Sequence, residues 1–154
     1  MKEKILNALV ALGFDLEQLD DFGYGFQYEG TNFIWMPNND DECFLNIAIP
    51  AILEKGNADD KDFYELMNML NSNMKYVKAN TFGDSLWLFY ERDVYDENED
   101  LERILTRMIV HLDGSLMLFR KAIREANKES EDDTDNDESQ VIDTETVEEN
   151  NNDE

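Results

Sequence analysis

The sequence has one cysteine, one histidine and two prolines in 154 residues. The single thiol, Cys43, excludes an internal disulfide and fits a reducing compartment. One histidine, His111, and one cysteine far from it in sequence give poor support to a histidine-based metal site or a Cys–His nucleophile pair. Positive charge is scarce too: 13 Lys and Arg stand against 37 Asp and Glu, a net charge of −24. Nucleic-acid affinity rests on Lys and Arg displacing counterions, so DNA and RNA are not expected partners. Anionic membranes are excluded on the same ground. No apolar run approaches the ~20 residues that a membrane span requires. The opening residues Met1–Gly13 imitate a signal peptide, but Glu3 and Asn7 interrupt the apolar run and no small-x-small site follows, so a cytoplasmic chain is the expectation. GxGxxG, P-loop and GxSxG patterns are missing. Carboxylates are numerous, but none sits beside a predicted apolar cleft that would tune it for acid–base work. The chain is therefore expected to be no enzyme, with no catalytic residue, metal or cofactor.

The negative charge is unevenly spread. Residues 129–154 hold 13 acidic residues and no basic one, whereas residues 1–128 carry a net −11. The acidic stretch has only Val141, Ile142 and Val147 as aliphatics and no aromatics. It cannot bury enough apolar surface to offset its ordering entropy, which predicts a disordered acidic tail over 128–154. Such a tail keeps the protein in solution, or contacts a basic partner or the protein's own binding surface. Asp133, Asp135 and Asp137 have EF-hand spacing, but Glu138 stands where the turn needs Gly, and Thr144 where a bidentate Glu is needed.

The rest of the chain divides at turn signals. Ile5, Leu6, Leu9, Val10 and Leu12 have helical spacing over 2–12, and Gly13 stops that helix. A loop with Leu16 and Leu19 follows. Tyr24–Tyr28 alternates with period two, Glu29-Gly30 is a tight turn, and Asn32–Met36 is the next strand. Cys43–Ile49 is a third strand ended by Pro50, and the short connections make these three an antiparallel meander. Asn57 or Asp59 caps a helix running to 72, whose stripe is Phe63, Leu66, Met67 and Leu70. Lys75–Thr81 and Ser85–Glu91 are two further strands. A long helix over about 98–127 carries Leu101, Ile104, Leu105, Met108, Leu112, Leu116, Phe119 and Ile123 on one stripe. Gly114 inside it marks a bend or a close contact. The order α-β-β-β-α-β-β-α predicts an α+β domain over 1–127, a five-stranded antiparallel sheet with three helices.

A strand with one wet face should alternate apolar and polar side chains. Three of these strands do not. Phe33 and Trp35 oppose Ile34 and Met36; Leu45, Ile47 and Ile49 oppose Phe44 and Ala48; Leu86, Leu88 and Tyr90 oppose Trp87 and Phe89. Either the second helix covers one face and the first and third cover the other, or a second copy or a bound polypeptide covers what the helices leave. Trp35, Phe44, Trp87 and Phe89 are the candidate partner-binding residues, with Ile34 and Leu88 as the opposite-face alternative.

This order of elements, in a small acidic chain, resembles the type III secretion chaperone-like fold, which includes the Tir-chaperone family and the YbjN-like domains of bacteria. The resemblance covers residues 1–127 and is carried by the strands at Tyr24–Tyr28, Phe33–Met36, Cys43–Ile49, Lys75–Thr81 and Ser85–Glu91. It implies a non-enzymatic, homodimeric protein that holds an extended client polypeptide against apolar patches. YbjN-like members imply instead a regulatory or stress-related protein acting through a folded partner. The charge also allows an acidic decoy for a basic protein. The long acidic tail departs from the secretion chaperones.

Overall fold

The computed structural model describes residues 1–56, 59–95 and 98–137, with side chains through Lys128. Helix α1 (Lys2–Ala11) closes in a Schellman turn, in which Gly13, at φ +88°, donates to Val10 and Phe14 donates to Leu9. Strands β1 (Glu17–Leu19), β2 (Gly23–Tyr28), β3 (Thr31–Trp35) and β4 (Phe44–Glu54) follow. Helix α2 (Asp60–Asn73) is capped by Asp59, whose carboxylate accepts from the Lys61 N–H at 2.7 Å. Strands β5 (Val77–Phe82) and β6 (Ser85–Asp93) form a hairpin, and α3 runs Leu101–Asp137.

All neighbouring strands are antiparallel, in a sheet ordered β1-β2-β3-β4-β6-β5. The fold class is α+β, as the element order implies, but the sheet has six strands and not five. The extra strand is β1, which the sequence presents as loop. It has three residues and no alternation, and it is a strand only because β2 pairs with it, Glu17 opposite Gly25. Gly25 leaves room for this: a Cβ there would lie 3.3 Å from the Leu19 side chain.

Pro50 does not end β4. The register with β6 shifts between Ile49 and Leu53, and Ala51 in that bulge has φ +46°. Pro50 lacks an N–H, and the bulge takes it out of the ladder at no cost in hydrogen bonds. On the other side, β3 pairs with β4 only at Ile34–Ala48 and Trp35–Ile47. Continuing that register sets Asn32 opposite Pro50, which has nothing to donate, so the β3–β4 seam opens there.

The register assigns the faces. Phe26, Phe33, Trp35, Ile47, Tyr90, Leu88 and Ala79 share one face. That face meets α1 and α3: Lys2 of α1 sits over the Tyr24 ring at 5.4 Å and His111 of α3 lies 6.0 Å from Tyr90, while Phe14, just past α1, lies 4.8 Å from Phe26. The second face holds Ile34, Ala48, Trp87 and Phe89, with Leu19 and Met36 packed on them and no helical residue among them. Among the described residues, no helical side chain packs on this cluster, and to that extent the face is helix-free.

The chain divides into two units, Met1–Phe119 and Arg120–Glu154. Within the first, α3 buries Leu105, Met108, Ile109, Leu112, Leu116 and Phe119, following the helical stripe. At Gly114 the close contact is corrected, since a Cβ there would meet nothing within 4 Å, and the helix continues through it. In the second unit the backbone is helical through Asp137, so helix occupies the start of the segment expected to be disordered. The rest of that expected tail, 138–154, lies outside the described residues. Among the described residues, no helix is long and apolar enough to cross a membrane.

Candidate functional site

The helix-free face owes its shape to the β4 bulge. A bulge bends its strand and increases the local twist, so the two ends of the sheet can curl toward one another. Phe22 belongs to the turn between β1 and β2, at one end of the sheet. Phe82 ends β5, at the other. Their rings are nonetheless 5.6 Å apart and edge to face. Trp87 completes the group, 4.9 Å from Phe82 and 6.0 Å from Phe22, and stacks at 6.0 Å on Phe89. Edge-to-face and stacked pairs at these separations are favourable beyond their burial.

This aromatic group is buried at one end and open at the other. Trp87, Phe89 and Ile34 are each 8% exposed, whereas Phe22 is 37% and Phe82 49% exposed. Beside it lies a cleft of about 610 Å³ where the β3–β4 seam opens. Leu19, Ile34 and Pro50 wall it on this face, Phe14, Phe26 and Phe33 reach it from the helix-bearing face, and Gln27 and Asn32 give it amides. Those amides are joined, Gln27 Nε2 donating to Asn32 Oδ1 at 3.0 Å. Leu19 and Ile34 belong to both the cleft wall and the aromatic cluster. The two regions therefore adjoin in one strip, apolar at its aromatic end.

Of the residues singled out in the sequence, Ile34, Trp87 and Phe89 come together here. Trp35 and Leu88 do not. The register places them on the helix-facing side, 1% and 0% exposed, so the grouping of Trp35 with Trp87 and Phe89 is corrected. Phe44 is half-buried at the start of β4 and lines a separate small cleft with Lys2, Ile5 and Pro37. Sequence reasoning missed Phe22, Phe82 and Leu19. A signal existed: Phe22 follows Asp20-Asp21 and Phe82 precedes Gly83-Asp84, so each is an aromatic in a turn signal where polar residues are the rule.

Asp15 and Glu17 put two carboxylates on the rim of the cleft, whereas the aromatic end of the strip is uncharged. Among the described residues, the groups with displaced pKa values lie elsewhere: the Lys55 amine is raised, chiefly by its hydrogen bond to Asp60, and the Tyr95 hydroxyl is raised, chiefly by its hydrogen bond to Asp93. Among the described residues, no three His, Cys, Asp or Glu side chains are grouped to hold a metal ion. The geometry offers apolar contact and amide hydrogen bonds. No protein-family model matches the chain, and a search of curated proteins finds no match.

Proposed function

We propose that this chain is a non-enzymatic, chaperone-like binding module that holds an extended segment of a partner polypeptide on its helix-free sheet face. The observation that supports the reading is the exposed Phe22–Phe82 pair, continuous through Trp87, Ile34 and Leu19 with the cleft at Pro50. An exposed aromatic pair joined to an apolar cleft is a surface that gains by being covered. The open β3–β4 seam adds backbone and amide groups to which an extended segment can hydrogen-bond. The resemblance to the type III secretion chaperone-like fold supports the same reading and adds a homodimer. The module works by contact in the cytoplasm, without chemistry of its own.

The test is a photo-crosslinking residue at Phe82, with Tyr64 on α2 as an exposed control. Crosslinks at 82 to one extended segment of a partner, absent at 64, support the reading. Crosslinks to a folded regulator would favour the YbjN-like alternative. Capture that vanishes with added salt and with deletion of 138–154 would favour the acidic decoy. Equal capture at 82 and 64 would remove the argument.

A further inference from the structure

A second site lies on the helix-bearing side, and it starts from an unfavourable backbone. Tyr76, between α2 and β5, has φ +67°, a left-handed conformation that a bulky L-residue rarely adopts. Its ring is 64% exposed. That ring stacks nearly parallel on Tyr90, with centroids 6.0 Å apart and planes at 17°, and lies 5.1 Å from the His111 ring. A strained residue presenting an exposed aromatic face is a reason to look for a ligand beside it.

Beside it is a cleft of about 410 Å³, lined by Tyr76, Tyr90, Arg92, Glu99, Arg103 and Arg107. Three arginines around one cleft are notable in a chain with 13 cationic residues and a net charge of −24. Arg92 is engaged, with Nη2 2.8 Å from Glu99 Oε2 and Nε donating to the Asp93 carbonyl at 3.0 Å. Asp100, which also lines the cleft, accepts from the Arg103 backbone N–H at 3.1 Å and so caps α3. The guanidinium groups of Arg103 and Arg107 have no acidic partner among the described residues. They lie one helical turn apart on α3, and His111 is one turn further on.

We propose that this cleft binds a phosphate carried on a flat aromatic ring, the chemistry of a nucleotide. The ring stacks on Tyr76, and the phosphate lies between Arg103 and Arg107. With Arg92 paired to Glu99, Arg103 and Arg107 stand against the single carboxylate of Asp100, so the cleft keeps a net positive charge, and guanidinium forks suit phosphate oxygens. The site is separate from the helix-free face and does not depend on what binds there.

The experiment titrates the full chain with adenosine 5′-monophosphate, adenosine and inorganic phosphate, by calorimetry and by NMR. The monophosphate is expected to shift the Tyr76, Tyr90, Arg103 and Arg107 resonances and to bind about tenfold more tightly than either fragment, the gain a stacked base supplies. Arg107→Gln and Tyr76→Gly should each weaken it about tenfold. Glycine accepts the left-handed backbone, so Tyr76→Gly removes the ring without a folding penalty from φ. Monophosphate binding no tighter than phosphate, or unchanged in both variants, overturns the proposal. A response to phosphate that is equal in every variant is unspecific pairing and overturns it as well.

Discussion

The Asn71 carboxamide makes two hydrogen bonds to one residue of the sheet edge: Nδ2 donates to the Ala79 carbonyl at 3.0 Å, and Oδ1 accepts from the Ala79 N–H at 2.7 Å. A neighbouring strand would make the same pair of bonds. Helix α2 thereby blocks β5, the longer of the two edge strands, against pairing with another chain. Asn71→Ala should cost about 1–2 kcal/mol in urea unfolding. It should also raise the light-scattering mass at high concentration. Asn71→Asp keeps only the acceptor and should lie between the two.

Gly23 marks the closest backbone approach. A Cβ there would stand 2.3 Å from the Trp35 carbonyl oxygen, and no flexible side chain can yield. Gly23→Ala should lower stability by about 2–4 kcal/mol, read as a shift of the denaturant midpoint at unchanged slope.

Two substitutions should stabilise. Ala51 is exposed at φ +46°, so Ala51→Gly relieves left-handed strain and should gain about 0.5–1 kcal/mol, whereas Ala51→Val should lose stability. Gly114 sits in a helix with open space beside it, so Gly114→Ala should gain up to about 1 kcal/mol. Thermal unfolding checks both.

On the helix-free face, exposure separates binding from folding. Trp87→Ala should cost about 3–5 kcal/mol, because its ring is almost wholly covered. Phe82→Ser should cost about 1–2 kcal/mol, less than Trp87→Ala, at 49% exposure. If the strip holds a partner, Phe82→Ser loses capture while it still unfolds cooperatively and melts above Trp87→Ala.

Alkaline pH addresses Tyr95. Its hydroxyl donates to the Asp93 carboxylate, which raises its pKa above the ordinary 10.0. A raised folded value means the contribution is complete below pH 10.0 and is lost as pH rises through the folded pKa. Absorbance titration of the six tyrosines should show a late-ionising phenol that disappears in Tyr95→Phe and moves earlier in Asp93→Asn.

Much of the fold was legible from local pattern. Gly13 ended α1, Asp59 capped α2, and Glu29-Gly30 turned the β2–β3 hairpin with both residues at positive φ, +48° and +74°. These signals act within a few residues of chain. The candidate site was legible only in part. Alternation correctly opposed Trp87 and Phe89 to Leu88, but alternation orders side chains within one strand. It says nothing of which face of one strand aligns with which face of the next, so Trp35 was grouped with residues on the other side.

The sequence by itself determined the α+β class, the scarcity of positive charge, and the strands that are apolar on both sides. Those follow from composition and period, which need no partner in space. Only the tertiary structure decided that, among the described residues, no helical side chain packs on the Trp87–Phe89 cluster, that β1 is a strand, and that Phe22 and Phe82 meet. Each depends on contacts between residues far apart in the chain. In particular, a proline with no N–H to give, at the bulge in β4, opens a seam whose effect is felt only across the sheet.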